Sequence, residues 1–277
     1  MTSAATTGLR RWRGLLVGLS LAFAACGTPN AASTPAATTA AVRWSETTAP
    51  QGIDVPEAQW LKIEGAGGKS NNVQTAAVLR PQGSGVSPLV VWLHGDEGSA
   101  VFHVSAARRL APAGFVVIVG CWQPTPAEPF VADGVSFPRI PCLQNYATAN
   151  DAISALVEVG QQLSGVKKGA IGLYGVSSGG PQALQYRDSR VDIKAIVVDS
   201  SSRGPSRAVS PVLMLGGTAD PFLSIDAQRA YEQALRDSGG TVEAHYYEGG
   251  RHEVAVIGDF TEDAIKRIAD FYRRYLN

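Results

Sequence analysis

Apolar residues in this chain occur in two patterns that follow one another along the sequence. Short continuous apolar runs are typical of strands covered on both faces of a parallel sheet; they occupy residues 89–93, 115–119, 170–176, 193–198 and 211–215. Between and after them, apolar positions recur at helical spacing, as in residues 149–163, 227–235 and 265–276. Strands that alternate with helices predict an α/β fold built on a doubly wound, mostly parallel sheet.

The first 26 residues depart from this pattern. Arginines at positions 10, 11 and 13 precede an apolar stretch, residues 14–25, that is too short to span a bilayer and is typical of a secretory signal peptide. This stretch leads into Ala-Cys-Gly, which resembles a bacterial lipoprotein signal and would place the lipid on Cys26. Cleavage near Ala25, a retained membrane anchor and the twin-arginine route are the alternatives. We expect an exported protein, anchored to a membrane and facing the periplasm or the cell exterior.

Residues 27–50 follow as a second segment. Up to about residue 42 it is almost entirely Ala, Thr, Ser, Pro and Asn, with too little apolar bulk to offset the entropy of ordering. We therefore expect residues 27–50 to be a flexible tether and residues 51–277 to form one α/β domain. The formal net charge is zero and only the N-terminus carries a basic run, which argues against nucleic acid as a partner.

The chain contains three cysteines. If Cys26 carries lipid, Cys121 and Cys142 remain as a candidate disulfide in an oxidising compartment. Two reduced, buried thiols are the alternative.

The segment 173–180 reads Leu-Tyr-Gly-Val-Ser-Ser-Gly-Gly and directly continues one of the apolar runs. Gly175 and Gly179 flank Ser177 in the spacing G-x-S-x-G, which is typical of a serine on a sharp turn from a strand into a helix. Glycines at these positions avoid clashes with the strained turn and leave the serine hydroxyl exposed. A glycine-rich turn without chemistry is the alternative reading.

Polar residues follow the other predicted strands. His94-Gly95-Asp96 follows one strand, and Asp199, Asp220 and His252 each follow a later one. In a parallel sheet such residues gather at the carboxyl ends of the strands. Ser177, an Asp and His252 follow one another in that order along the chain, which is the order that the α/β-hydrolase superfamily uses. Residues 59–277 resemble this superfamily, and most closely its dienelactone-hydrolase-like and small esterase branches.

This resemblance implies a serine hydrolase with a catalytic triad. Ser177 would be the nucleophile, His252 the base and acid, and Asp220 the residue that orients the imidazole. Asp199 is the alternative acid, because some members of the superfamily place the acid after the preceding strand. Dienelactone hydrolases themselves use cysteine at the position of Ser177, so their substrate is not carried over.

The resemblance also implies two backbone donors for the oxyanion, the N–H of Ser178 and that of Asp96 in the loop 94–98, here called the oxyanion loop. The short link 199–210 leaves no room for a large cap domain. The proline-rich stretch 123–143 is predicted to be irregular and to form the roof of the site. Three aromatic residues would supply an apolar wall for the substrate: Trp122, Phe130 and Phe137.

No sequence motif points to a metal or another cofactor. The chain has no H-E-x-x-H motif, no cysteine–histidine cluster at metal spacing and no phosphate-binding loop with its lysine. We therefore predict a serine esterase that needs no cofactor and acts on small-molecule carboxylic esters. A non-catalytic binding module, or a peptidase or acyltransferase of the same superfamily, is the alternative.

Overall fold

The computed structural model describes residues 41–69, 71–132, 134–142, 148–188, 192–205 and 207–277. The predicted signal peptide with Cys26 and most of the predicted tether lie outside these residues, as does Leu143 at the end of the predicted roof. Among the described residues, no helix is both long enough and apolar enough to cross a membrane.

A nine-stranded sheet forms the centre of the domain, and a separate hairpin lies outside it. The strands of the described residues are β1 Arg43–Thr47, β2 Gln59–Glu64, β3 Val73–Leu79, β4 Ser87–Leu93, β5 Val116–Gly120, β6 Phe130–Ala132, β7 Val135–Phe137, β8 Val166–Val176, β9 Ile193–Asp199, β10 Val212–Gly217 and β11 Val242–Tyr247. The order across the sheet is β1-β2-β3-β5-β4-β8-β9-β10-β11, and β6 pairs with β7. From β5 to β11 all neighbours are parallel, whereas β1, β2 and β3 form an antiparallel edge.

Helices cover both faces of this sheet. They are α1 Val101–Ala107, α2 Ala149–Gln162, α3 Gly179–Asp188, α4 Ile225–Asp237 and α5 Thr261–Leu276. Along β4, Val90 and Trp92 join the cluster that contains α1 and α5 residues, whereas Val91 and Leu93 join the cluster of α2, α3 and α4. Because alternate side chains of the strand enter two separate cores, the strand is apolar throughout. The predicted doubly wound, mostly parallel sheet is confirmed.

The predicted tether is wrong at its C-terminal end. Residues 43–47 form β1, which pairs antiparallel with β2 so that Trp44 lies opposite Ile63. Trp44 packs against the apolar cluster on the α2 side of the sheet. The Ala- and Thr-rich composition therefore predicts a flexible segment wrongly from residue 43 onwards, because the aromatic side chain of Trp44 packs on the core.

The predicted irregular roof contains the hairpin of β6 and β7, and it is fastened at both ends. A disulfide joins Cys121 to Cys142, with their Cα atoms 5.5 Å apart. Within the segment, the N–H of Ile140 donates to the carbonyl of Ser99 (2.8 Å), and Arg139 Nε donates to the carbonyl of Glu97 (2.6 Å). The segment is thus attached to the oxyanion loop and the residue that follows it.

Replacing both Cys121 and Cys142 by serine is expected to lower the free energy of unfolding by about 3 kcal/mol, since the bond closes a loop with a sequence separation of 21 residues. Urea unfolding of the oxidised wild type and the double variant measures the difference. An unchanged free energy of unfolding, or two alkylatable thiols in the folded wild type, would contradict the assignment.

Candidate active site

Ser177 lies on a strained turn between β8 and α3. Its φ of 51° is in the left-handed region, which a serine adopts only where the surrounding structure enforces it. A Cβ on Gly175 would lie 2.2 Å from the carbonyl oxygen of Gly179, and a Cβ on Gly179 would lie 2.6 Å from that of His94. Both glycines are therefore required by close backbone approach, as the G-x-S-x-G spacing predicts. The half-buried serine stands at the carboxyl end of the sheet, beside a helix N-terminus.

His252 and Asp220 form a hydrogen-bonded pair in the loops that follow β11 and β10. Nδ1 of His252 lies 2.7 Å from Oδ2 of Asp220, whose side chain is fully buried. The other oxygen of Asp220 accepts hydrogen bonds from the N–H groups of Phe222 (2.8 Å) and Leu223 (3.1 Å). Burial would raise the pKa of Asp220, but the hydrogen bonds outweigh it and the pKa lies below its ordinary value. An ionised acceptor fixes the ring proton of His252 on Nδ1 and leaves Nε2 free to accept a proton.

Asp199, the alternative acid, makes a different set of contacts. Its Oδ2 accepts hydrogen bonds from the hydroxyl of Tyr174 (2.8 Å) and the N–H of Ala255 (2.9 Å), and its Oδ1 accepts one from Ser200 Oγ (2.9 Å). Burial raises its pKa, although these three bonds act in the opposite direction. Asp199, at the end of β9, therefore links the loop after His252 to Tyr174 of β8 by hydrogen bonds and, within the described part of the chain, makes none to His252 itself.

Ser177, Asp220 and His252 follow strands that are close together in the sheet, at the edge where the carboxyl ends meet. Within the described residues, the hydroxyl of Ser177 makes no hydrogen bond to His252. Contacts of this kind often tighten only when a substrate is bound.

The oxyanion loop is held by side chains from outside it. Trp122 Nε1 donates to the carbonyl of His94 (2.8 Å), and Gln123 Nε2 donates to that of Gly95 (3.3 Å). Neither predicted oxyanion donor, the N–H of Ser178 or that of Asp96, has an acceptor among the described residues. Both N–H groups are therefore available to a ligand.

The predicted apolar wall of Trp122, Phe130 and Phe137 is wrong as a single surface. Trp122 is only 6% exposed and packs in the cluster on the α2 side of the sheet. Phe130 and Phe137 pack edge-on against Phe102 of α1, at ring distances of 5.9 and 5.2 Å, in the other cluster. The indole of Trp122 supports the oxyanion loop instead of facing a substrate.

Phe222 is an aromatic residue of the site that the sequence did not reveal. Its side chain is 76% exposed, and its ring lies edge-on to that of His252 at 5.1 Å. The only signal in the sequence is its place two residues after Asp220. An exposed aromatic ring beside His252 offers an apolar contact to part of a substrate.

The site can be compared with known proteins. The family model for the dienelactone hydrolase family matches residues 75–275. A Klebsiella pneumoniae structure described as a dienelactone hydrolase has a TM-score of 0.57 and 17% identity, and the match covers 85% of this chain and 100% of that one. No curated protein sequence matches the chain.

Two further solved structures are similar in fold. An esterase from Pyrobaculum calidifontis has a TM-score of 0.60 and 20% identity, with 80% of this chain and 86% of that one covered. A dienelactone hydrolase-like promiscuous phosphotriesterase from metagenomic libraries has a TM-score of 0.59 and 15% identity, with 86% and 100% covered. Identities this low establish the fold alone.

Proposed function

This chain belongs to the dienelactone hydrolase family, and we propose that it is a serine hydrolase that cleaves carboxylic esters through Ser177, His252 and Asp220. The observation that carries the proposal is the part-buried 2.7 Å pair of His252 and Asp220, on the same sheet edge as a serine held at φ 51°. A serine in the left-handed region costs free energy and persists only where the surrounding structure enforces it, and such strain clusters at functional sites.

In the proposed reaction, Ser177 Oγ attacks the ester carbonyl carbon while His252 Nε2 takes the hydroxyl proton. The negative charge on the former carbonyl oxygen is stabilised by the N–H groups of Ser178 and Asp96. Asp220 stabilises the imidazolium without itself becoming protonated. His252 then returns the proton to the leaving alkoxide, and an acyl-enzyme remains. Water, activated by His252 in the same way, cleaves the acyl-enzyme and regenerates Ser177.

The substrate class is inferred from the site and from the proteins it is similar to. One of these is an esterase and another a promiscuous phosphotriesterase, so an ester centre is common to both. Serine stands where dienelactone hydrolases have cysteine, and we therefore do not assign a dienelactone as substrate. A neutral carboxylic ester fits best, because the oxyanion loop carries two acidic residues, Asp96 and Glu97, and Asp220 lies against His252, so a negatively charged substrate would meet like charges there.

A pair of substrates with one acyl group tests this proposal against the peptidase alternative. We expect the p-nitrophenyl ester of butyrate to be hydrolysed with saturation kinetics, and the p-nitroanilide of butyrate to be cleaved at least about 100-fold more slowly, since an amine leaves less readily than a phenolate. Faster cleavage of the anilide would replace the esterase by a peptidase. Lack of turnover of both, at any pH, would support a binding module.

Replacing Phe222 by alanine is expected to raise KM for a naphthyl ester about tenfold while KM for the methyl ester of the same acid changes little. The exposed ring lies edge-on to His252 at 5.1 Å, where we expect it to contact an aromatic leaving group, which the methyl ester lacks. Val86→Ala is the matched control, since Val86 is 70% exposed just before β4, at the opposite end of the parallel strands. A fall in kcat with both KM values unchanged would mean that Phe222 orients His252 instead.

A further inference from the structure

A buried cluster of Glu97, His103 and Glu253 lies next to the candidate active site and takes no part in the reaction described above. Their potential ligand atoms all lie within 4.8 Å of one another. Oε1 of Glu97 accepts hydrogen bonds from Nε2 of His103 and from the N–H of Gly95, the latter at 2.8 Å. The cluster therefore joins the oxyanion loop, α1 and the loop that carries His252.

Trp92 determines whether this cluster can hold a proton or a metal ion. Nε1 of Trp92 lies 3.3 Å from Nδ1 of His103. An indole N–H can only donate, so Nδ1 must be the acceptor and the ring proton is on Nε2, where it points at Glu97. A metal ion at this position would need the lone pair of Nε2, which the proton occupies. The hydrogen-bond pattern thus fits a proton-sharing cluster and not a metal site.

Glu253 is the residue that brings a second carboxyl group to Glu97. It directly follows His252, is 5% exposed, and has a φ of 64°. Its N–H donates to Ser200 Oγ (2.7 Å), so its backbone is fixed to the end of β9. Two carboxyl groups whose oxygens lie within 4.8 Å in a buried site repel each other strongly when both are ionised, so the cluster favours one shared proton.

The surroundings decide which carboxyl group keeps the proton. Burial and the neighbouring Glu97 raise the pKa of Glu253 well above its ordinary value. Burial would also raise the pKa of Glu97, but His103 and a backbone N–H outweigh it and lower that pKa. The titratable groups around Glu253 comprise carboxyls, a phenol and imidazoles from five other elements and its own loop: Glu97, Asp199, Asp220, Tyr174, His103 and His252.

We propose that Glu253 is a positioning residue for the ester hydrolysis proposed above: it shares one proton with Glu97 and thereby fixes His252 relative to the oxyanion loop. The effect on turnover rests on the proposed function, whereas the shared proton does not. Glu253 touches no substrate, so its loss lowers kcat and leaves KM nearly unchanged. Small displacements of a catalytic base are enough to reduce the rate strongly.

The shared proton makes two properties depend on pH. When pH rises far enough for Glu253 to ionise in the fold, the carboxylates repel each other, the His252 loop moves away from the oxyanion loop, and kcat falls. Stability changes earlier: above about pH 4.5 Glu253 ionises in the unfolded chain but stays protonated in the fold, so the free energy of unfolding falls as pH rises towards the folded pKa. A glutamine at this position donates to Glu97 at every pH and removes both effects.

The test compares kcat and KM for a neutral p-nitrophenyl ester from about pH 6 to about pH 10 in the wild type, Glu253→Gln and Glu253→Ala. Glu248→Gln is the matched control, because Glu248 is exposed just after β11. We expect Glu253→Ala to lower kcat at least about tenfold at neutral pH with KM within about twofold. We expect Glu253→Gln to rescue kcat to within about threefold and to lose the fall in kcat that the wild type shows as pH rises. A fall in kcat with rising pH that Glu253→Gln shares with the wild type, or no such fall in the wild type over this range, would overturn the proposal.

Thermal unfolding provides a readout that needs no activity and covers the case in which Glu253→Ala does not fold. As pH rises from about 5 to about 9, Tm of Glu253→Gln is expected to rise relative to that of the wild type, and Tm of Glu248→Gln to follow the wild type. This divergence without any hydrolysis would mean that the proposed function is wrong and the shared proton right. Hydrolysis by the wild type with parallel Tm curves would overturn the shared proton alone.

Discussion

Replacing Ser177 by alanine is expected to lower kcat/KM for a short neutral p-nitrophenyl ester by at least about 10⁴-fold, because no other group can form the acyl-enzyme. The change should leave the fold intact. Alanine has a Cβ as serine does, so it adds no new clash at a φ of 51°. The lost hydroxyl makes no hydrogen bond in the described part of the chain. Initial rates with the ester measure the loss, and a thermal unfolding curve verifies the fold.

Ser45→Ala is the matched control for this variant, because Ser45 is exposed on β1 at the far edge of the sheet. It should hydrolyse the ester like the wild type. If Ser177→Ala kept more than a small fraction of the activity, the nucleophile would have to be another residue.

Replacing Asp220 by asparagine is expected to lower kcat by about 10⁴-fold. The amide can present its NH₂ group to His252, which favours the ring proton on Nε2 and removes the lone pair that must accept the proton of Ser177. The backbone N–H groups of Phe222 and Leu223, which donate to Asp220, can still donate to the amide oxygen of asparagine. The loop should therefore keep its structure. The pH dependence of kcat at saturating ester provides the measurement.

The same substitution at Asp199, the alternative triad acid, shows whether the loss of kcat is specific to Asp220. Asp199 is fully buried and accepts three hydrogen bonds, which an amide with one acceptor oxygen cannot all satisfy. We expect a loss of about 1–3 kcal/mol in the free energy of unfolding and a much smaller loss in kcat than for Asp220→Asn. The reverse ranking of the two kcat values would move the triad acid to Asp199.

The parallel strands and the turn at Ser177 could be predicted because local sequence determines them. A run such as residues 89–93 is apolar throughout only because both of its faces are covered. The spacing of Gly175, Ser177 and Gly179 follows from backbone contacts within a few residues. The order of residues along the chain, together with the tendency of functional groups to gather at the carboxyl ends of parallel strands, was sufficient to predict that Asp220 and His252 lie at one edge of the sheet.

The features that could not be predicted depend on contacts between distant residues. Nothing near Glu97 in the sequence indicates that it meets Glu253, and a burial pattern alone gave no sign that Trp122 faces a different core from Phe130. β1 gains its order from pairing with β2, so the Ala- and Thr-rich residues before it were a poor guide.

Labelling with a fluorophosphonate probe tests the central claim most directly, because the probe reacts only with a serine that a neighbouring base activates. The account predicts one covalent adduct per chain, located by peptide mass spectrometry on Ser177, absent in Ser177→Ala and strongly slowed in Asp220→Asn. The folded wild type left unlabelled, or an adduct on any other serine, would contradict it.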